Sequence, residues 1–320
     1  VPWRAVQLLC VALLAWLGGA FYTLRWNPET VFFQRGHALK QAWVRQLDAA
    51  VSNKIVFCGG SSCTTSVDAE RLWRQHGLPA ANLGMHAGLG AKVLLAYAQQ
   101  SLRPGDTFLI GLEPSLLAEP PGDETLGVQF SFAIGQPALL RGTNGLDWAT
   151  ALASLRPGGY HLLTLLGKIA LRQSLYRYAL TEWQPGGWQR VAARRPVEAL
   201  PGDWPELHPA MRAQLANVRD WCSARHIRVA YVLPWYYCPA EKTPLMRQSS
   251  AQLLAEISSI LPVLKDPTFG VCTNLADFAD TPLHPVAPLA ERRTDALGEL
   301  IRSWQIWSPR ELAELAQAHP

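Results

Sequence analysis

Two short stretches of this 320-residue chain hold residue types that can make and break bonds. In the first, KIVFCGGSSCTTS, an apolar run ends in Gly59 and Gly60 and then in Ser61, Ser62, Cys63, Thr64, Thr65 and Ser66. Such a run presents a serine at the carboxyl end of a strand, the edge where open α/β sheets bind ligands. In the second, DFADTPLHP, Asp280 stands four residues before His284. A serine nucleophile needs a base, commonly an imidazole, and the imidazole must be oriented, commonly by a carboxylate. One tight loop can supply both to a serine from elsewhere in the chain.

Other chemistries fit the first stretch less well. A phosphate-binding loop needs a lysine directly after its last glycine, and no lysine follows Gly60 until Lys92. The G-x-S-x-G elbow of α/β-hydrolases lacks its second glycine here. A plain strand-to-helix turn with a Ser or Thr cap stays open, as does an ordinary exposed loop for Asp280 and His284. The helix after the first stretch is expected to start near Ser66, with N–H groups that can hold an oxyanion.

The elements that would position these residues follow from the apolar pattern. Strands are expected at Lys54–Cys58, Ala80–Leu83, Thr107–Leu112 and Arg228–Leu233, with a final piece near Leu275–Phe278. Helices are expected at Asp68–His76, Gly88–Leu102 and Met211–Arg225. Short buried strands alternating with helices predict a mainly parallel sheet covered on both faces. The interval 114–209 breaks that rhythm and reads as an insertion, possessing one apolar helix at Tyr160–Leu180 that can act as a lid. A helix carrying Leu289, Leu297, Leu300, Ile301 and Trp304 is interrupted by Arg293, and Ser308–Glu311 reads as a capping box opening a last helix.

Hydrophobic residues make up 49% of the chain and charged ones 17%, enough apolar material for one large domain or two small ones. The net charge of +4 comes without a dense basic block, which argues against nucleic acid as partner. Ala5 to Leu24 is uncharged, flanked by Arg4 and Arg25 and by Trp3 and Trp26. About 20 apolar residues span a bilayer, so residues 1–26 read as a membrane anchor and 27–320 as the domain. A cleaved secretory signal, with Gly18-Gly19-Ala20 as its small residues, is the alternative. The six cysteines form no C-x-x-C pair, and Cys238 and Cys272 are candidates for a disulfide in an oxidising compartment. The histidines show no metal-ligand spacing, and no metal or cofactor is expected.

Taken together, the blocks IVFCGGSSCTTSVD, NLGMHAGLG and FADTPLHP resemble, in order, the first, second and last blocks of the SGNH/GDSL hydrolase superfamily. Arg292-Arg293-Thr294 and LRPGDTFLIGLEPS are similar to its membrane-anchored, extracytoplasmic branch, which acetylates or deacetylates polysaccharides. The resemblance implies a three-layer α/β/α sandwich with a flavodoxin-like sheet, anchored in a bacterial inner membrane with the domain in the periplasm. It implies Ser61 as nucleophile, His284 as base, Asp280 as its orienter, and the N–H groups of Ser61 and Gly84 as oxyanion donors. The asparagine that usually adds a third donor is missing, because the region reads Gly111-Leu112-Glu113-Pro114. Ser62, His86, Glu113, Trp235 and Tyr236 are further substrate-contact candidates. Trp183, Trp188, Arg190, Arg194 and Arg195 form a mixed stretch suited to sugars or to plain solvent. The implied activity is an esterase or O-acetyltransferase on a cell-surface or exported glycan such as cellulose or another exopolysaccharide. The competing expectation is a non-catalytic subunit of an envelope polysaccharide machine that binds glycan in a degenerate cleft.

Overall fold

Two long helices lead the chain in a computed structural model, which describes residues 3–317 except 123, 142–147, 193–197, 199, 201 and 202. The first, α1 (Trp3–Arg25), is long and apolar enough to cross a membrane, and almost all of it is exposed. Asn27 caps α2 (Pro28–Ala50) by accepting from the Glu29 N–H, and Pro28 sits at the first helical position, where its missing N–H costs nothing. Helix α2 is an addition to the elements expected above. It buries Phe33, Gly36, Lys40, Trp43, Val44 and Leu47, a helical spacing obscured by a lysine and a glycine on the inner face.

The sheet follows. Strand β1 (Ile55–Gly59) leads into α3 (Ser61–Ser66) and α4 (Ala69–His76), then β2 (Ala80–Asn82), α5 (Ala91–Gln99) and β3 (Thr107–Gly111). Next come α6 (Pro114–Leu117), α7 (Thr125–Ala133), α8 (Trp148–Ser154), α9 (Gly159–Ala170) and α10 (Pro209–Ser223). Strand β4 (Arg228–Tyr231) ends the main sheet. The rest is β5 (Tyr236–Tyr237), α11 (Thr243–Ser258), β6 (Val271–Cys272), α12 (Ala287–Ser303) and α13 (Pro309–Gln317). The main sheet is parallel, in the order β2-β1-β3-β4, while β5 and β6 form a separate parallel pair.

Each face of the sheet feeds its own apolar cluster. Val56, Cys58, Phe108, Ile110 and Tyr231 join the cluster containing residues of α2, α5 and α10. Ile55, Phe57, Leu109 and Ala230 point the other way, toward Leu72 of α4 and Leu297 and Ile301 of α12. Burying one such Phe or Leu side chain contributes about 1.5–3 kcal/mol.

Three expectations are corrected. Leu275–Phe278 is no strand: Leu275–Asp277 is a single 3-10 turn capped by Asn274, and Val263 makes the parallel bridge beside Tyr231. The insertion helix stops at Ala170, because Arg172 takes a left-handed φ of 52° and the Gln173 N–H turns back onto the Lys168 carbonyl. Cys238 directly follows β5 and Cys272 lies on its partner β6, with the Cys238 N–H donating to the Cys272 carbonyl, yet both thiols are free. The last helix opens as expected: the Ser308 hydroxyl accepts from the Glu311 N–H, and Glu311 accepts from the Ser308 N–H.

Candidate active site

The turn after β1 is shaped by its neighbour strand. Register pairs Gly59 with Gly111, so Glu113, two residues further on, comes level with the turn. Its carboxylate is buried and accepts from the Gly60 N–H at 3.0 Å and the Ser62 N–H at 2.8 Å. A side chain on Gly60 would run into that carboxylate, and one on Gly59 would lie 2.5 Å from the Gly111 carbonyl oxygen. These contacts pull α3 forward to start at Ser61 instead of near Ser66. Ser61 is half-buried at the helix start, while Ser62 is fully buried at 0% exposure. The Ser62 hydroxyl has no hydrogen-bond partner among the described residues, and Ser62 borders a small pocket of about 20 Å³ with Arg293 and Leu297. Ser62 therefore cannot touch substrate directly.

Further bonds fix α3 from behind. Asn82 Nδ2 donates to the carbonyls of Cys63 and Val67, and Thr64 Oγ1 donates to the Met85 carbonyl. Trp188 donates its indole N–H to the Thr65 carbonyl and packs on Ala287 and Ala290 of α12. Thr294 accepts from the Asp68 N–H and donates to the Ala290 carbonyl. Arg293 is buried, pairs with Asp266 at 2.8 Å and donates to the Leu233 carbonyl. The polar pair that interrupts the apolar stripe of α12 thus ties that helix to α3 and to the end of β4.

Asp280 and His284 sit on the loop leading into α12. The loop is closed by bonds from the Ala279 N–H to the His284 carbonyl and from the Val286 N–H to the Asp277 carbonyl. Asp280 Oδ1 lies 2.7 Å from His284 Nδ1, and both side chains are 4% exposed. This bond fixes the proton on Nδ1 and leaves Nε2 as the acceptor. Burial pushes the Asp280 carboxyl up, but the bond and charge of His284, the Tyr178 hydroxyl and the Arg177 guanidinium outweigh it and hold it at about 2. No hydrogen bond joins Ser61 to His284 among the described residues. In unliganded enzymes such bonds are often long and tighten with substrate.

Tyr178, from the insertion, was not anticipated. Its hydroxyl donates to Asp280 Oδ2 at 2.8 Å and lies 3.4 Å from His284 Nδ1. Arg177 stacks its guanidinium 4.7 Å from the Tyr178 ring. The only signal available was the Tyr176-Arg177-Tyr178 triplet, which no periodicity singles out.

The remaining candidates divide. The Gly84 N–H donates to Asn82 Oδ1 at 2.9 Å, so it is already engaged, and a side chain there would strike Cys63. The Ser61 N–H has no acceptor among the described residues. His86 accepts from the Gly88 N–H at its Nδ1, capping the turn Ala87–Leu89 and leaving the proton on Nε2. Burial, then the charges of Arg177 and His284, lower its pKa to about 4, so His86 is a neutral donor at pH 7.

Glu113 points into backbone and is a brace. Trp235 gives its N–H to Asp266 beneath the Arg293 guanidinium. Tyr236 is 0% exposed and bonds Ser250, so it belongs to the core, correcting its assignment to the cleft. Trp183 and Trp188 are also buried and offer no sugar platform. Arg190 is exposed, and Arg194 and Arg195 lie outside the described residues.

A cavity of about 420 Å³ lies next to His86 and Arg177, and none of Ser61, Asp280 and His284 lines it. His86, Tyr176, Arg177, Glu29, His161 and Lys168 border it. No family model, no curated protein and no solved structure matches this chain.

Proposed function

We propose that the protein is an SGNH-type serine acyl-ester hydrolase or O-acetyltransferase acting on a cell-surface or exported polysaccharide. In this reading the domain has the superfamily's three-layer arrangement, α1 anchors it in a bacterial inner membrane, and the site faces the periplasm. The observation that supports the chemistry best is the 2.7 Å bond between His284 Nδ1 and Asp280, in the loop leading into α12, the helix whose Thr294 bonds the Ser66 carbonyl at the end of the short helix that Ser61 opens. His284 Nε2 takes the proton as Ser61 Oγ attacks the acyl carbonyl carbon. The Ser61 N–H and the neutral His86 hold the resulting oxyanion. Collapse breaks the ester bond, and the leaving alkoxide takes the proton from His284. Water or a sugar hydroxyl then attacks the acyl-serine, giving its proton to His284; the bond from the acyl carbon to Oγ breaks, and His284 returns the proton to Ser61 Oγ.

A second reading is a non-catalytic glycan-binding subunit of an envelope polysaccharide machine. One feature favours it: the buried Glu113 carboxylate stands on the turn amides where the superfamily keeps a neutral donor. Release of p-nitrophenol from p-nitrophenyl acetate by the full-length protein in detergent separates the two. The first reading expects wild type and Ser62→Ala to be active and Ser61→Ala inactive. Equal background rates for all three proteins would leave the binding subunit.

A further inference from the structure

The insertion carries an apolar surface that its own domain does not cover. None of the twelve residues of α9 is buried, and Leu163, Leu166 and Ile169 are 70%, 62% and 55% exposed. Lys168 is the only Lys, Arg, Asp or Glu in this helix. At about 1.5 Å per residue, twelve residues reach about 18 Å, too short to cross a bilayer but suited to lying in its surface or re-entering it. In α8 beside it, Trp148 and Leu152 are also exposed.

The position of these helices against α1 says what covers them. The Trp16 indole N–H donates to the Leu152 carbonyl. A side chain on Gly19 would lie 3.3 Å from the Arg156 Cβ, and the Tyr22 ring stands 6.3 Å from the His161 ring. Trp16 lies nine residues before Arg25, the end of α1. That is about 14 Å along the axis, close to half of a hydrocarbon core about 30 Å thick. If Arg25 sits at the membrane surface, Leu152 lies well below it. Arg172, after α9, supplies a cation that anionic headgroups attract.

We infer that α8 and α9 form a membrane-inserted hairpin that enters one leaflet beside α1. The occupant of the apolar face is the lipid bilayer. The cavity bordered by Lys168, His161 and Arg177 then opens at headgroup level, so molecules reach it along the membrane surface. The inference rests on α1 crossing the bilayer and not on the acyl-transfer chemistry.

The test uses the full-length protein in nanodiscs of phosphatidylethanolamine and phosphatidylglycerol, with Cys272→Ser removing the half-buried thiol outside α1. Reaction with a charged, membrane-impermeant maleimide is followed at native Cys10 in α1. It is followed also at Leu163→Cys, Leu166→Cys and, as an exposed control, Arg310→Cys, the last three with Cys10→Ser added. Thiols out of water react slowly, so Cys10 and both α9 positions should label about tenfold or more slower than Arg310→Cys. A bimane at Leu163→Cys should be quenched by doxyl-labelled lipid and not by iodide. Fast labelling of both α9 positions with Cys10 protected would overturn the hairpin and leave the anchor standing. Fast labelling of Cys10 as well would remove both. Iodide quenching without lipid quenching would overturn the hairpin even if labelling were slow, and would point to a protein cover.

Discussion

Asp280 Oδ1 and His284 Nδ1 are 2.7 Å apart on one closed loop, and the second carboxylate oxygen of Asp280 accepts from Tyr178. Asp280→Asn removes the charge and can fix the wrong imidazole tautomer, so ester hydrolysis should fall about 10²–10⁴-fold. The same variant tests stability. The folded carboxyl is held at about 2 against an ordinary 3.8, which corresponds to about 2 kcal/mol. Because the folded value is the lower one, this contribution is whole above about pH 4 and is lost as pH falls through 2. Urea unfolding of wild type and Asp280→Asn should therefore converge on acidification.

Tyr178→Phe deletes one hydrogen bond to a charged group and leaves the ring in place. The loss is about 1.5–3 kcal/mol, and kcat should fall about 10-fold or more with KM little changed. Steady-state kinetics on p-nitrophenyl acetate reads both constants. An unaltered kcat would show that the insertion does not assist the pair.

Glu113→Gln keeps the shape but turns an amide NH₂ toward one of two backbone N–H groups. One buried donor then lacks an acceptor, at a cost of about 1–3 kcal/mol. Chemical denaturation should show the loss. Activity should drop as well, since the turn that places Ser61 loosens.

Arg293→Met leaves Asp266 as a buried charge without its cation. Breaking such a pair costs about 3–5 kcal/mol. A double variant with Asp266→Asn should recover part of that loss in urea melts, giving a measurable coupling energy.

The four sheet strands were legible because β-branched and aromatic runs such as Ile55-Val56-Phe57 stop at glycines. The Asp280–His284 pair was legible because its geometry is local. Glu113 was not: in the sequence it reads only as a lost asparagine, and its bracing role arises when β1 and β3 align Gly59 with Gly111. Nor was the engagement of the Gly84 N–H legible, since its acceptor is a side chain two residues away. Helix α2 hid behind Lys40, a residue type that usually marks solvent. Tyr178 reaches Asp280 across 102 residues of chain, and no spacing rule spans that distance.

Lys40 has one more consequence. Its buried ammonium donates to the carbonyls of Asn82, at the end of β2, and Gly187, in the insertion, and stands over the Trp183 ring. Burial lowers its pKa to about 7, against a smaller opposing pull from Cys63. An insertion is ordinarily a removable module, tolerated or trimmed without harm to its host. This one is a structural tenant of the sheet itself. Cutting out 114–209 would cost the lysine one of its two carbonyls, strip Tyr178 from Asp280 and uncap α3 at Trp188, so the sheet and its insertion stand as a single engineering unit.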